Sequence, residues 1–421
     1  MRRPIMPLLL TTTLVLAACA GGEADPGPAS PPGGTAPLEE TTSSQESGEQ
    51  QIAQHSLPTA EVFGEPAWGM QIPPSWEEMT PIVTGQHVIA LSDATVVAYD
   101  TQGAEAWATD WAPLAEEDRV VGTPPVLRQV SPEVVAVIDT GKVEGEGLAT
   151  TTYAALVTLI SVEDGTLVKE VTVPGSESDA PQLGEIGLGF ALPDRSAVVV
   201  TPEGEIVEAP AAPADARVVG AASVGEHPIG LWESGSVNTL TSFGAAGWSS
   251  NDSPPSQAAV NAQVFGSDAD SLLLGRWNEP RVGMGEPGDV IFQVLDAASG
   301  EVLATPECGP EVASQFVVSP DRAWKVSSSL RLSPQNSADC TGGGEGQRSV
   351  RFTAVTDEGR AFGLAGQGGS DALFVDSKPG EEPETSDLPE DARPPIGVME
   401  GDLAIHWDSR TGIITANPFG E

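Results

Sequence analysis

Residues 87–107 read HVIALSDATVVAYDTQGAEAW, and this stretch decides the fold class of the chain. Two short runs at 88–92 and 96–100 are rich in Val, Ile and Leu, which favour strands. Gly103 then supplies the positive φ that a tight hairpin turn needs, and a further strand leads to Trp107. The stretch therefore predicts short antiparallel strands joined by tight turns.

A strand, a glycine turn and a second strand recur seven times along the chain. The turn glycines of these units are Gly103, Gly165, Gly204, Gly244, Gly300, Gly359 and Gly412. Their spacing suits four short strands per unit, and sheets of that size bury both faces only by packing radially around an axis. The repeats predict an all-β chain folded as a seven-bladed β-propeller. Six blades, eight blades and two β-sandwich domains are the alternatives.

The unit at 80–107 resembles a blade of the PQQ-like, or quinoprotein-type, propeller family. The features that carry this resemblance are a strand ending at Asp100, a turn at Gly103 and a tryptophan four residues later, Trp107. The equivalent positions of the other units are Lys169, Glu208, Trp248, Ala304, Gly363 and Ala416. The resemblance implies degenerate repeats in which Trp107 and Trp248 contact the neighbouring blade.

Quinoprotein dehydrogenases share this propeller, but their characteristic site is not matched here. The resemblance would imply a disulfide between adjacent cysteines over the quinone, whereas Cys308 and Cys340 are far apart in the sequence. We therefore expect no quinone and no other cofactor.

The amino-terminal residues resemble a bacterial lipoprotein signal. Arg2 and Arg3 precede a short apolar segment that ends in Leu16-Ala17-Ala18-Cys19, and this segment is too short to span a bilayer. The resemblance implies that residues 1–18 are removed as a signal peptide and that Cys19 carries the lipid, with palmitate among its acyl chains. We expect the protein to lie on the extracytoplasmic face of the cell membrane.

Residues 19–60 are rich in Gly, Pro, Ser, Thr and Glu. Such a segment cannot offset its ordering entropy by apolar burial, so we predict a disordered tether there. Trp68 and Trp76 mark the return of core-forming residues, and the propeller is predicted at 61–421. Within it, residues 333–348 and the acidic residues 378–395 are predicted to be long surface loops.

The net charge restricts the possible binding partners, and the number of cysteines indicates whether a disulfide bond forms. A net charge of −42 repels nucleic acid and anionic lipid headgroups, so we expect no nucleic-acid partner. Once Cys19 is assigned to the lipid, Cys308 and Cys340 remain as an even pair. Disulfides form in exported proteins, so the pair predicts one disulfide bond.

No pattern in the sequence indicates a catalytic or metal site. His55, His87, His227 and His406 stand singly, without the spacing that brings two ligands to one face. The segment at 267–270 carries two aspartates, but Leu272 and Leu274 follow where a calcium loop needs oxygen ligands. We predict no catalytic residues and no bound metal.

These features favour a noncatalytic, monomeric docking module that binds an envelope protein or a cell-wall component. Trp232, Trp277 and Trp324 lie outside the positions predicted to contact a neighbouring blade, so they are candidate exposed anchors for a partner. The alternative, which is the more common role of such side chains, is packing in the core or between blades. The alternative is a glycan hydrolase or lyase built on the propeller. That enzyme would place two carboxylates and a tryptophan together in a concave pocket.

Overall fold

The structure is a computed structural model. It describes residues 56–72, 79–92, 94–120, 123–143, 151–235, 240–256, 259–278, 290–306, 308, 316–342, 348–366 and 372–420. Trp76, Cys19, the predicted signal peptide and residues 19–55 of the predicted tether lie outside these ranges. No helix in the ranges given is long and apolar enough to cross a membrane.

The described strands form eight antiparallel sheets of four strands, and each sheet is one blade. Strand β1 (Trp68–Gln71) belongs to the last blade. The next strands are β2 (Ile82–Val83), β3 (Val88–Ser92), β4 (Thr95–Tyr99) and β5 (Glu105–Asp110) in blade 1; β6 (Val126–Ser131), β7 (Val134–Val143), β8 (Thr152–Ser161) and β9 (Leu167–Pro174) in blade 2; β10 (Gln182–Leu183), β11 (Gly189–Ala191), β12 (Ala197–Val200) and β13 (Ile206–Glu208) in blade 3; and β14 (Ala216–Val224), β15 (His227–Ser234), β16 (Leu240–Ala245) and β17 (Trp248–Ser249) in blade 4. A single 3-10 turn, Glu116–Asp118, connects blades 1 and 2.

The second half of the ring follows the same plan. Its strands are β18 (Val260–Ser267), β19 (Leu272–Asn278), β20 (Val290–Asp296) and β21 (Val302–Ala304) in blade 5; β22 (Val317–Val318), β23 (Lys325–Ser327), β24 (Leu330–Leu332) and β25 (Ala338–Cys340) in blade 6; β26 (Val350–Val355), β27 (Ala361–Ala365), β28 (Leu373–Ser377) and β29 (Glu384–Asp387) in blade 7; and β30 (Gly397–Met399), β31 (Leu403–Asp408) and β32 (Ile413–Pro418) in blade 8. In blades 1 to 7 the chain runs from the innermost strand to the outermost strand.

The ring has eight blades, so the predicted number of seven is wrong. Blade 6 was missed because its third turn contains no glycine. Asn336 adopts the left-handed conformation there instead, with φ of 60°, and asparagine tolerates that conformation better than most residues. The segment 333–348, which we predicted to be a surface loop, therefore contains strand β25.

Two further sequence assignments need correction. The predicted acidic loop at 378–395 contains β29, whose four side chains are all exposed and polar, so its composition resembles that of a loop. Gly244 lies within β16, and Gly247 forms the turn that follows. Gly359 and Gly412 do lie in turns, but these are the first turn of blade 7 and the second turn of blade 8.

The ring closes by pairing its first strand with its last. β1 lies antiparallel to β32, with Trp68 opposite Ala416 and Gln71 opposite Ile413. Blade 8 therefore takes its outer strand from the beginning of the folded region and its other three strands from the end.

Three tryptophans on outer strands join neighbouring blades. Trp68, Trp107 and Trp248 lie against the positive-φ glycines in the third turn of the following blade, where a Cβ atom would overlap the indole ring. Each indole N–H also donates a hydrogen bond to a carbonyl of that turn, at Thr101 (3.0 Å), Val162 (3.1 Å) and Ala297 (3.3 Å). Trp68 was not predicted to make this contact, because its strand precedes blade 1 in the sequence.

The predicted disulfide is present. Cys308 and Cys340 are bonded, with their Cα atoms 5.3 Å apart. Cys340 ends β25, the outer strand of blade 6, and Cys308 follows the last strand of blade 5. The bond therefore fixes the outer edge of blade 6 to the chain segment that leaves blade 5.

Candidate functional site

An axial cavity of about 530 Å³ runs between the inner strands of the ring. Its walls are largely apolar, and they include Met79, Ile82, Val126, Leu127, Phe316, Val317 and Ile396. Three charged residues, Arg128, Asp268 and Arg322, also line it. The cavity is therefore suited to an apolar group that carries a small polar end.

A second cavity, of about 470 Å³, lies at one end of the axis. In an antiparallel meander the first and third turns lie at the same end of the sheet, and we call this end of the ring the lower face. The second cavity is lined by the first turns of blades 1, 2, 6 and 8 and by the third turn of blade 2. We call it the lower mouth.

The lower mouth adjoins the axial cavity. Val83, Gln129, Val318 and Arg322 line both spaces. The rim carries three exposed glutamates, Glu133, Glu163 and Glu400, whereas His87 is buried in the wall. Arg322 thus lies in the wall that the two spaces share, with the acidic rim at the lower mouth and the apolar side chains along the axial cavity.

The first turns of blades 1 and 6 contact each other across the axis. A Cβ atom on Gly85 would lie 2.9 Å from the carbonyl oxygen of Pro320, so only glycine fits at this contact without a shift. The backbone N–H of Glu400 in blade 8 also donates a hydrogen bond of 2.8 Å to the carbonyl of Gly85. These contacts narrow the axis at the lower face and hold three first turns together.

The turn that carries Arg322 is fixed by its own hydrogen bonds. The N–H of Arg322 donates to the carbonyl of Ser319 (2.8 Å), and the carboxylate of Asp321 accepts from the Ser319 hydroxyl (2.6 Å) and the Ala323 N–H (2.9 Å). Arg322 itself has a φ of 63°, a conformation that residues other than glycine rarely adopt. The hydrogen bonds within the turn therefore maintain the strained backbone conformation of Arg322.

Two neighbouring blades hold the same turn from outside. Lys325 donates a hydrogen bond of 2.9 Å to the carbonyl of Arg322, and its ammonium lies 3.7 Å from the carboxylate of Asp268 in blade 5. On the other side, the N–H of Asp321 donates to Asp357 in blade 7 at 2.8 Å. The position of Arg322 is thus set by blades 5, 6 and 7 together.

Two of the three guanidinium nitrogens of Arg322 lack partners within the ranges that the structure describes. Its Nε and Nη2 atoms are buried and have no hydrogen-bond acceptor among the described residues. Arg128, the other arginine in the cavity wall, differs, because its Nη1 donates to the carbonyls of Gly184 (2.9 Å) and Glu185 (2.7 Å). Buried donors without acceptors are costly, so Arg322 is the residue of this wall that is least satisfied by the protein.

The residue set expected for a glycan hydrolase is not assembled by the described residues. Asp321 and Asp357 approach each other, and burial raises the pKa of Asp357, with a smaller upward contribution from the charge of Asp321. Neither aspartate lines either cavity, and no tryptophan of the described ranges does so. Within those ranges, no three His, Cys, Asp or Glu residues are placed to hold a metal ion.

Trp232, Trp277 and Trp324 are not exposed anchors, and the alternative of core or inter-blade packing is confirmed for them. Trp232 and Trp277 are only 3% and 1% exposed and belong to the core of blades 4 and 5. Trp324 is partly buried and lies against Gly359 of blade 7. Alternation along a strand shows that one face is buried but does not show which, so these side chains could not be assigned to the core from the sequence.

Asp268, in the predicted turn at 267–270, accepts backbone hydrogen bonds from Asp270, Ser271 and Leu272.

His406 is fully buried in β31 and is the histidine with the largest electrostatic consequence. Its Nδ1 atom lies 2.9 Å from the carbonyl of Arg393, and its ring packs edge-to-face against Phe63 at 4.7 Å. Burial lowers the pKa of His406 to about 4, although the hydrogen bond to Arg393 opposes the shift. The neutral imidazole is therefore the form that the folded state accommodates.

We expect the burial of His406 to make the domain less stable as the pH falls. The unfolded chain binds a proton near pH 6.5 and the folded chain only near pH 4, so stability declines across that interval. Between pH 7 and pH 5 the loss is about 2 kcal/mol, at about 1.4 kcal/mol for each pH unit below 6.5. Urea unfolding of the wild type and His406→Gln at both pH values measures it. His406→Gln should lose the part of the pH dependence that comes from His406, and His227→Gln should retain it. An equal pH dependence of the unfolding free energy in all three proteins would contradict the role given to His406.

Comparisons with known proteins find no family for this chain and only distant structural similarity. No family model matches the chain, and no curated protein matches it. Among solved structures, the β-propeller domain of Cps50 (Swd1) from Myceliophteria thermophila matches at 10% identity with a TM-score of 0.40, covering 83% of this chain and 98% of that one. The computationally designed Ika8 protein matches at 10% identity and 0.39, covering 86% and 99%, and the Dos1 propeller at 10% and 0.30, covering 82% and 97%. At this identity and these TM-scores, the similarities carry no argument about function.

Proposed function

We propose that this chain is a noncatalytic docking module that binds an envelope protein or a cell-wall component at the lower mouth. In this proposal the domain is held at the extracytoplasmic face of the cell membrane by a lipid on Cys19, and it acts as a monomer. The lower mouth carries the proposal, because it is a concave surface built from first turns that are bonded to one another. A rigid concave surface binds without the entropic cost of ordering loops.

The positions of the tryptophan side chains favour a binding function over a catalytic one. The described tryptophans contribute to blade contacts and to the core, so none is left to stack on a sugar in either cavity. Asp321 and Asp357, whose carboxylates influence each other, lie outside both cavities, and the hydrogen bond from the Asp321 N–H to Asp357 joins blades 6 and 7. We therefore advance no hydrolytic activity as a second candidate.

The acidic rim indicates the charge of the partner. Glu133, Glu163 and Glu400 are exposed around the lower mouth of a chain whose net charge is −42. Such a surface attracts cationic groups and repels anionic polymers, and the effect weakens as salt screens it. A partner with basic residues near its contact surface fits this rim.

The test is affinity capture from envelope membranes with the intact lipoprotein. We expect a discrete envelope protein or wall fragment to be retained by the wild type and by Glu177→Lys, an exposed substitution on the opposite face. Glu400→Lys makes the same charge change at the lower mouth and should reduce retention at least about tenfold, since it places a repulsive charge in the interface. Equal retention by both variants would place the docking surface elsewhere and overturn the proposal.

The membrane anchor has its own test. We expect Cys19→Ser to lose incorporation of a fatty-acid probe and to leave the membrane fraction, because the thioether at that sulfur is the attachment. Growth with an alkyne-tagged palmitate followed by fractionation measures both quantities. Equal labelling of the wild type and the variant would remove the anchor from the proposal without affecting the docking surface.

A further inference from the structure

We infer that the junction of the lower mouth and the axial cavity is a binding site for an aliphatic carboxylate, held through Arg322. In this site the carboxylate accepts hydrogen bonds from the guanidinium, and its apolar substituent extends into the axial cavity. The inference adds a class of ligand to the proposed docking function. It rests on that function because it takes the lower mouth as the side from which the ligand enters. A free alkanoate and the carboxy-terminal residue of a peptide share this chemistry.

The first step is the unsatisfied guanidinium. Nε and Nη2 of Arg322 are both buried in the wall shared by the two cavities, and neither has an acceptor in the described parts of the chain. A planar guanidinium offers paired donors that match the two oxygens of a carboxylate. Both nitrogens are covered by protein atoms, so a carboxylate reaches them only after a side-chain movement of Arg322, and it then supplies the two missing acceptors together with the opposite charge.

The second step is that the site is organised before a ligand arrives. The turn 319–322 is closed by internal hydrogen bonds and is tied to blade 5 through Lys325 and to blade 7 through Asp357. The positive φ of Arg322 is maintained by these contacts. A residue with a strained backbone keeps that conformation only where its neighbours hold it, and such residues cluster at binding sites. Because the turn is already fixed, ordering it on binding costs little entropy.

The third step is the shape and polarity of the surrounding space. On one side of Arg322 lies the axial cavity of about 530 Å³, with apolar side chains from β2, β6 and β22 in its wall. On the other side lie the exposed glutamates of the rim. The rim repels any anion, and an inorganic anion would gain nothing from the apolar wall to offset this repulsion. A monocarboxylate with an aliphatic tail makes use of both the cation and the apolar cavity.

The other charged groups near Arg322 are engaged by the protein, except that Oδ2 of Asp268 has no hydrogen-bond partner among the residues described and only the Lys325 ammonium, 3.7 Å away, beside it. The Nη1 donor of Arg128 is engaged by backbone carbonyls, and Lys325 faces Asp268. The carboxylate of Asp268 accepts three backbone hydrogen bonds through Oδ1. Arg322 is therefore the residue through which the proposed site distinguishes an acid from a neutral analogue of the same size.

Calorimetric titration with four probes tests the site. Octanoate and octanamide differ only in the carboxylate, and N-acetyl-Leu-Val and its carboxamide make the same comparison for a peptide terminus. We expect one or both acids to bind at least about tenfold more tightly than the matching amide, a difference of about 1.4 kcal/mol. Whichever acid binds more tightly identifies the source of the carboxylate. Equal binding of acids and amides, or no binding of any probe, would overturn the inference.

The variants separate the role of Arg322 from a general effect on folding. Arg322→Gln should abolish the preference for the acid while leaving amide binding within about twofold, and Arg322→Lys should retain part of the preference. Arg195→Gln is the matched control, because Arg195 also has a positive φ, of 70°, but is exposed in the second turn of blade 3. A loss of preference in Arg195→Gln would contradict the inference. If acids fail to bind while capture still depends on Glu400, the docking function stands and only the carboxylate site falls.

Discussion

A chain that begins at residue 73, and so lacks β1, is expected to lose about 5 kcal/mol or more of its free energy of unfolding. Trp68 and Ile72 are buried, and Trp68 joins blade 8 to blade 1 through its ring and its indole N–H. Removing a buried tryptophan alone costs about 3–5 kcal/mol, and the loss of strand pairing with β32 adds to this. Because a whole domain is stabilised by only about 5–15 kcal/mol, the truncated chain should be largely unfolded or open.

Urea unfolding of purified chains measures this effect. The control is a chain that begins at residue 56, which lacks residues 19–55 of the predicted tether but keeps β1 and Phe63, and it should unfold at the same midpoint as the full chain. Trp68→Ala in the full chain should lose about 3–5 kcal/mol by itself. If the chain from residue 73 unfolds at the midpoint of the control with the same slope, then β1 does not close the ring.

Replacing Arg331 by methionine is expected to cost about 3–5 kcal/mol. Arg331 is 2% exposed in β24, and its guanidinium donates hydrogen bonds to the carbonyls of Gly359 (3.2 Å) and Ser377 (3.0 Å) in blade 7. It also bonds the carboxylate of Asp339 at 2.6 Å. The methionine would leave several buried acceptors without donors, which is the costly way to break a buried polar network.

Three variants separate this network from ordinary ion pairing. Asp339 is 56% exposed, so Asp339→Asn should cost less than about 1 kcal/mol, because water can replace the lost charge. Arg217→Met removes the exposed ion pair with Glu233 and should change stability by less than about 1 kcal/mol. Chemical unfolding of all three gives the comparison. An Arg331→Met variant as stable as Arg217→Met would show that Arg331 does not join blades 6 and 7.

The local parts of this fold were predictable from the sequence. Runs of β-branched residues ended by Gly103, Gly165, Gly204 and Gly300 predicted hairpins that the structure contains, because side-chain alternation and positive φ are local properties. The number of blades was not predictable in the same way. Asn336 replaces glycine in the third turn of blade 6, and the exposed strand β29 of blade 7 has the composition of a loop, so strands of two blades were interpreted as insertions.

The candidate site could not be predicted from patterns in the sequence. The Ser319-Pro320-Asp321 sequence indicates a turn, but nothing near it shows that the turn faces the axis or that the side chain of Arg322 has no acceptor there. Those properties depend on blades 5, 7 and 1, which contribute Asp268, Asp357 and Gly85. Trp232 and Trp277 fail as anchors for the same reason, since burial of a strand face is decided by the neighbouring sheets.

Site-specific photocross-linking in intact cells tests most directly the claim that the lower mouth is the docking surface. A photoreactive residue in place of Glu400 lies on the rim of the lower mouth, and one in place of Glu177 lies exposed on the opposite face. We predict a discrete cross-linked adduct from position 400, reduced when Arg322→Gln is combined with it, and no adduct from position 177. An adduct from position 177 alone, or equal adducts from both positions, would contradict the account.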